Sequence, residues 1–134
     1  MKKINNFIES RNSHSEENTE DYLELINDLL HNKGEARIVD IATQLGIAQA
    51  TANKTIQRLQ KQGYVEKLPY RSIFLTPKGQ AIAYKSKKRH NTVYNFLIKL
   101  GVNKKIAKKD AEGIEHHVSG ETLNKFKKFY KKVK

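Results

Sequence analysis

Three side chains close to the C-terminal end of the chain have the types and the spacing of metal ligands. Glu112, Glu115 and His116 lie in the string DAEGIEHH, residues 110–117. Positions i, i+3 and i+4 share one face of a helix, so we predict that two carboxylates and one imidazole converge there. Donors without sulfur favour Mn²⁺, Fe²⁺ or another divalent ion that tolerates hard ligands. The string therefore predicts a metal site.

Two other places in the sequence offer ligands of the same kind. Asp21 and Glu24 repeat the i, i+3 spacing, and His90 follows the basic run at residues 87–89. Four carboxylates gathered without a cation would repel one another, and two divalent ions would balance their charge. Simpler interpretations remain open, because Asp21 and Glu24 also fit the solvent face of an amphipathic helix and His90 also fits a phosphate-binding basic run. Many strings like that at 112–116 are ordinary surface residues.

The composition excludes several classes of protein and indicates a polyanionic partner. The chain has no Cys, which rules out disulfides, thiolate metal sites and cysteine nucleophiles. Its net charge is +12, and residues 85–134 hold 15 of the 26 Lys and Arg but only 4 of the 14 Asp and Glu. Nucleic acid is the simplest partner for such a charge. With neither a signal peptide nor an apolar run of roughly 20 residues, we expect a cytoplasmic protein that does not bind membranes.

The middle of the chain predicts a DNA-binding domain over residues 19–76, after a flexible arm at 1–18. Apolar residues at helical spacing predict a helix over 19–32 and a pair over 37–45 and 48–62 joined by a turn at Gly46-Ile47. The segment YVEKLPYRSIFLT, residues 64–76, predicts a short hairpin, or wing, after the helix-turn-helix.

A helical domain is predicted over residues 77–134. Thr76-Pro77 is typical of a helix N-terminus, and helices are expected over about 77–100, 103–117 and 121–132. So short a helical region buries little of its own surface, which favours pairing with a second copy. The predicted fold is therefore mainly α, with a winged helix-turn-helix DNA-binding domain followed by an all-α dimerisation domain.

The second helix of the helix-turn-helix pair carries the candidate base-reading side chains. Ala52, Ile56 and Leu59 form its inner face, and recognition helices read the major groove from the opposite side. Asn and Gln suit adenine, whereas Lys suits guanine or phosphate. The candidate DNA contacts are Gln49, Ala50, Thr51, Asn53, Lys54 and Gln57 on the helix and Lys67, Tyr70 and Arg71 on the wing. The alternative is a winged helix that contacts protein, or polar residues that only face solvent.

Beyond these patterns, the chain resembles a known family from about Glu20 to Phe129. It is similar to the diphtheria toxin repressor family of metal-activated transcriptional regulators, in particular to its manganese transport regulator branch. The strings that carry the resemblance are EDYLELI (20–26), ARIVDIATQLGI (36–47), LTPKG (75–79), RHNTVYNFLIKLGV (89–102) and AEGIEHHVS (111–119).

The resemblance implies a metal site, a metal ion and a function. The implied metal ligands are Asp21, Glu24, His90, Glu112, Glu115 and His116, which would hold two Mn²⁺ per subunit. The iron-responsive branch typically has Met at the position of Asp21 and Cys at that of Glu112, so carboxylates at both favour Mn²⁺, although Fe²⁺ is possible. The implied function is a homodimer that binds double-stranded operator DNA when loaded with metal and represses manganese uptake genes.

Three other functions are compatible with parts of the pattern. An iron-responsive regulator would use the same site, and a metal-independent winged-helix regulator would respond to a small molecule. A dinuclear metallohydrolase would need an open coordination position. Six protein ligands look sufficient to close the site, and no additional base is evident, so we expect a regulator and not an enzyme.

Overall fold

The structure is a computed structural model that describes the backbone of residues 2–69 and 71–132 and the side chains of residues 18–69 and 71–132. Within these residues it contains six helices and one two-stranded sheet. In chain order the elements are α1 (Lys2–Lys33), α2 (Ile38–Leu45), α3 (Gln49–Lys61), β1 (Val65–Lys67), β2 (Ile73–Leu75), α4 (Pro77–Lys99), α5 (Lys104–Ile114) and α6 (Gly120–Lys132). The described residues form two compact units that divide between Tyr84 and Lys85, inside α4.

The first helix is longer than its sequence pattern predicts. We expected a flexible arm over 1–18 and a helix start at Thr19, but α1 is continuous from Lys2. Apolar periodicity marks only the part that packs into a core, so a polar extension of the same helix gives no such signal. The predicted end is confirmed, since α1 stops at Lys33 and the amide of Gly34 still bonds to the carbonyl of Leu30.

The helix-turn-helix pair is confirmed close to its predicted limits. Gly46 ends α2 in the left-handed conformation, at φ 67°, where glycine carries no steric penalty. Its amide bonds back to the carbonyls of Ala42 and Thr43 and so satisfies the end of the helix. The chain then turns directly into α3.

The predicted wing is an antiparallel pair of short strands. Val65 faces Leu75 and Lys67 faces Ile73 across the two strands. The buried hydroxyl of Ser72 accepts a hydrogen bond of 2.7 Å from the amide of Ala36, and the amide of Ile73 donates to the carbonyl of Ala36 at 2.8 Å. These bonds hold the base of the wing to the segment before α2.

The N-cap predicted at Thr76 starts α4 as expected. The side chain of Thr76 accepts a hydrogen bond from the amide of Gly79 at 3.1 Å, and its hydroxyl donates to the carbonyl of Gly63 at 2.6 Å. The same residue therefore caps a helix and fixes that helix to the turn after α3.

One apolar core holds the first unit together. It combines α1, the helix-turn-helix pair, the wing and the first turns of α4. Its buried members are Tyr22, Leu23, Ile26, Ala36, Ile41, Ala42, Ala52, Ile56, Leu59, Val65, Ile73, Leu75 and Ala83. Full burial of each larger aliphatic side chain contributes roughly 1.5–3 kcal/mol, so this core fixes the direction in which α3 presents its outer side.

The second unit contains the rest of α4 together with α5 and α6. Asn103 caps α5 by accepting a hydrogen bond from the amide of Lys105, and Ser119 does the same for α6 through the amide of Thr122. The ring of Phe96 on α4 stacks on Phe126 of α6, with centroids 4.0 Å apart. Among the helices described, none has a stretch long and apolar enough to cross a membrane.

Candidate metal centre and nucleic-acid interface

Helix α5 ends earlier than predicted, and its C-terminal end positions the candidate ligand Glu115. We expected a helix over 103–117, but α5 ends at Ile114. Glu115 keeps helical backbone angles, φ −56° and ψ −29°, and its amide bonds to the carbonyl of Ala111 at 3.0 Å. Glu115 is thus the last residue that the helical hydrogen bonds hold, and His116 follows in the turn.

The carboxylate of Glu115 lies between two imidazoles. Its Oε2 atom is 3.2 Å from Nδ1 of His90 on α4, and its Oε1 atom is 3.4 Å from Nε2 of His116. The side chains of Glu115 and His116 are each 2% exposed, and that of His90 is 17% exposed. A carboxylate removed from water is costly unless positive charge or hydrogen-bond donors compensate it.

This donor set fits a divalent cation. Two imidazole nitrogens and a carboxylate, all within the second unit, offer ligand atoms to one small region. The set contains no soft ligand, so it suits manganese, iron and zinc better than copper(I) or an iron–sulfur cluster. The three residues were predicted from two separate strings, and the fold brings these strings together.

The third residue of the DAEGIEHH pattern has different surroundings. Glu112 lies on α5 one turn before Glu115, yet it is exposed, whereas Glu115 is buried. His117 is also exposed, as its position one residue beyond His116 predicts, and its ring stands edge-on to that of His116 with centroids 6.4 Å apart. Although the i, i+3 spacing places Glu112 and Glu115 on one face of the helix, only Glu115 is buried.

The upstream candidates Asp21 and Glu24 lie on α1 in the first unit. Asp21 is exposed and Glu24 half-buried, while Tyr22, Leu23 and Ile26 enter the core of that unit. The two carboxylates therefore lie outside the apolar stripe, as the sequence predicts.

The candidate base-reading side of α3 faces away from the core. Ala52, Ile56 and Leu59 are fully buried, which confirms the predicted inner face. Of the six candidate contacts on this helix, Asn53 is half-buried, and the five exposed residues are Gln49, Ala50, Thr51, Lys54 and Gln57. Their exposure leaves polar groups available for a groove.

A hydrogen bond between two of the candidate DNA contacts joins the wing to α3. The ammonium of Lys67 on β1 donates a hydrogen bond of 2.9 Å to Oδ1 of Asn53. Both residues were predicted from the sequence as DNA contacts, but the hydrogen bond between them was not, because they are 14 positions apart and no local pattern relates them. Arg71 is exposed, and its amide closes the turn by donating to the carbonyl of Leu68. Tyr70, the remaining candidate, lies outside the described residues.

Two protein-family matches cover the chain, and they meet at residues 73–76, before the division of the two compact units between Tyr84 and Lys85. Residues 14–73 match the family described as iron dependent repressor, N-terminal DNA binding domain. Residues 76–134 match the iron dependent repressor metal binding and dimerisation domain.

Individual proteins similar to the chain include curated regulators and a solved repressor. The transcriptional regulator MntR of Escherichia coli O6:H1 is 47% identical over 129 residues, which are 96% of this chain and 83% of that protein. MntR of Salmonella typhimurium is 48% identical over 126 residues, 94% of this chain and 80% of the relative. A manganese-dependent transcriptional repressor in complex with manganese matches with a TM-score of 0.77 and 25% identity, over 84% of this chain and 52% of the solved one. The chain thus spans about half the length of that solved protein.

Proposed function

Because the chain belongs to the manganese regulator branch of the diphtheria toxin repressor family, we propose that it is a manganese-responsive repressor of transcription. It binds operator DNA as a homodimer when metal is present, and its targets are genes for manganese uptake. DNA and Mn²⁺ are both available in the cytoplasm, where we expect it to act.

The observation that carries this proposal is the buried carboxylate of Glu115 between the imidazoles of His90 and His116. A bound Mn²⁺ supplies the positive charge that compensates carboxylates gathered at one place. The residues of this chain do the rest. Helix α4 presents His90, the end of α5 presents Glu115, and the turn after α5 presents His116.

The complete ligand set that we propose has six members. The additional carboxylates are Glu112 on α5 and Asp21 and Glu24 on α1, and we assign these three by the family resemblance together with their hard oxygen donors. Six ligands are more than one ion needs when carboxylates bridge, so we propose two Mn²⁺ per subunit. Fe²⁺ would use the same donors.

DNA recognition is assigned to α3 and the wing. On the outer side of α3, Gln57 is suited to hydrogen-bond adenine and Lys54 to contact guanine or phosphate, and both side chains are exposed. Asn53 and Lys67 are joined by their hydrogen bond and would meet DNA as one unit. Arg71 on the wing is a backbone or minor-groove contact.

Pairing of two copies is assigned to the second unit, whose helices and the turn after α4 expose apolar side chains. Leu100, Ile106 and Phe129 are 54%, 55% and 41% exposed. A second copy would remove these surfaces from water, and symmetric pairing is the commonest form of soluble assembly. In such a dimer the two α3 helices would read half-sites about one DNA turn apart.

Metal dependence follows from the origin of the proposed ligands. They come from both compact units, so metal binding would restrict the arrangements that the units adopt and favour those that match an operator. A coupling free energy of about 1–3 kcal/mol between metal and DNA would change operator affinity 5- to 150-fold.

A DNA-binding titration tests the proposal. Fluorescence anisotropy of a labelled operator is recorded at one fixed salt concentration with Mn²⁺, with Fe²⁺ and with EDTA. We expect tight binding with Mn²⁺ and at least fivefold weaker binding in EDTA. Equal affinities in Mn²⁺ and EDTA would rule out metal activation, and equal activation by both metals at their cellular concentrations would make the protein a general metal sensor.

A further inference from the structure

The positive charge of the chain is concentrated in the unit that does not carry the winged helix. Residues 85–134 contain 15 Lys and Arg against 4 Asp and Glu, a formal net charge of +11. Residues 1–84 contain 11 Lys and Arg against 10 Asp and Glu, a formal net charge of +1. Neither metal binding nor dimerisation calls for this excess, since cations and a like-charged copy are both repelled by it. The excess instead favours an anionic ligand of the second unit.

A cavity of about 190 Å³ between α4 and α6 is lined by some of these cationic residues. On α4 the lining residues follow the spacing i, i+3, i+4 and i+7, which places them on one face of the helix. On α6 they follow the spacing i, i+1 and i+4, which spans slightly more than one turn. The lining consists of Lys85, Lys88, Arg89 and Thr92 from α4 and Leu123, Asn124 and Lys127 from α6.

The lining has the chemistry of a phosphate site. Four of its seven residues are cationic, and no Asp or Glu is among them. Arginine and lysine are the cationic side chains that bind phosphate, arginine through a planar fork and lysine as a point charge. The hydroxyl of Thr92 already donates to the carbonyl of Lys88 at 3.0 Å, so the neutral donor available to a ligand is the amide of Asn124.

The cavity is an open depression on the surface of the second unit and is large enough for a phosphate group. A phosphodiester of a nucleic-acid backbone would place its phosphate there.

We propose that this cavity is a phosphate-binding site, separate from the recognition helix and from the candidate metal ligands. The phosphate is carried either by a DNA backbone or by the free ion. The net charge of the whole unit favours the backbone, because a polyanion gains from every lysine near the cavity whereas a small ion gains only from the lining. The proposal does not depend on the manganese response.

The test compares two variants of the full chain that lose the same charge. Lys85→Gln/Lys127→Gln removes two cations from the lining, and Lys105→Gln/Lys125→Gln removes two exposed cations of the same unit outside the cavity. Thermal melting by circular dichroism checks that both variants fold like the unmodified chain. Binding is measured in EDTA with a duplex that lacks an operator, so the result is independent of metal activation.

Two measurements distinguish the sources of phosphate. In the first, inorganic phosphate is titrated at constant ionic strength against chloride, and the amide NMR signals of Thr92 and Asn124 are followed. In the second, the affinity for duplex DNA is measured at several salt concentrations for the unmodified chain and for both variants. The slope of log affinity against log salt is then compared among them, and the loss of two phosphate contacts lowers its magnitude by about 1.8.

For a backbone site we expect the slope of the cavity variant to be smaller by about 1.8 and that of the control variant to change clearly less. Saturable phosphate shifts that only the cavity variant abolishes, with equal DNA slopes for both variants, would assign the site to the free ion. Equal DNA slopes for the two variants and no saturable phosphate shift in the unmodified chain would overturn the proposal.

Discussion

Glu115, at the end of α5, holds its buried carboxylate 3.2 Å from the Nδ1 atom of His90 on α4. This contact joins two helices of the second unit through one charged group. The group has almost no access to water, so its charge must be compensated by its immediate neighbours. Removing that charge while keeping the shape of the side chain therefore tests the candidate metal centre directly.

The variant Glu115→Gln should lower Mn²⁺ affinity at least tenfold, a loss of about 1.4 kcal/mol. The amide fills the same space but offers a neutral and weaker ligand. Electron paramagnetic resonance of free Mn²⁺ during a titration measures the affinity. Glu121→Gln, exposed on α6, is the matched control and should bind Mn²⁺ like the unmodified chain. An unchanged affinity of Glu115→Gln would remove this residue from the ligand set.

The variant Glu112→Ala should abolish the effect of Mn²⁺ on operator binding without lowering the thermal stability of the metal-free protein. Its side chain is exposed, so truncation leaves no cavity in the fold. Non-specific DNA binding and its salt dependence should also remain. If metal activation and non-specific binding were lost together, Glu112 would have a structural role instead.

The variant Gln57→Ala should weaken operator binding by about 1–3 kcal/mol and relax sequence preference at one base pair. Gln57 lies on the exposed side of α3 and would hydrogen-bond a base edge, so its loss should leave the salt dependence unchanged. Binding to a set of single-base operator variants measures this. Gln60→Ala, exposed nearer the C-terminal end of the same helix, serves as the control. Uniform weakening over all operators would mean that Gln57 contacts no base.

The variant Gly79→Ala should destabilise the first unit by about 1–3 kcal/mol, the range for overpacked sites. A Cβ atom at this position would overlap the backbone carbonyl oxygen of Tyr64, which cannot rotate away as a flexible side chain could. Urea unfolding measures the loss. At Gly120 a Cβ atom would meet nothing within 4 Å, so Gly120→Ala should be neutral. Equal midpoints for the two variants would contradict the close approach of α4 to Tyr64.

Acid should weaken the contact between the end of α1 and the start of α2. The ammonium of Lys33 donates a hydrogen bond of 2.8 Å to Asp40, and this bond, with the attraction of the two charges, lowers the pKa of the Asp40 carboxyl from 3.8. A carboxyl whose pKa is lower in the folded state stabilises the protein above pH 3.8, and this contribution is lost as the pH falls through the lowered value.

Asp40→Asn should therefore be slightly less stable than the unmodified chain at neutral pH, with a difference that shrinks in acid. The effect is small because the side chain of Lys33 is 56% exposed, so water screens its charge, although that of Asp40 is only 18% exposed. Urea midpoints between pH 3 and pH 8 measure it, and Glu66→Gln on the exposed side of β1 controls for net charge. A difference that grows as the pH falls would contradict the sign.

Much of the fold follows from local sequence. Gly46 ends α2 and Thr76-Pro77 starts α4 because these residues determine backbone angles and caps within a few positions. The predicted start of α1, at Thr19, was wrong because the same kind of local pattern was used to place it. Residues 2–18 lack the apolar periodicity that a packed helix shows, so a local pattern does not reveal that they continue it.

The sequence by itself determined the residue types at the candidate centre: carboxylates and imidazoles, no thiol, and the i, i+3, i+4 spacing of Glu112, Glu115 and His116. Only the tertiary structure decided that Glu115 is buried between His90 and His116 while Glu112 is exposed. The two glutamates have the same side chain and lie one helical turn apart. What distinguishes them is which other segments of the chain cover each one, and that depends on packing between residues far apart in sequence.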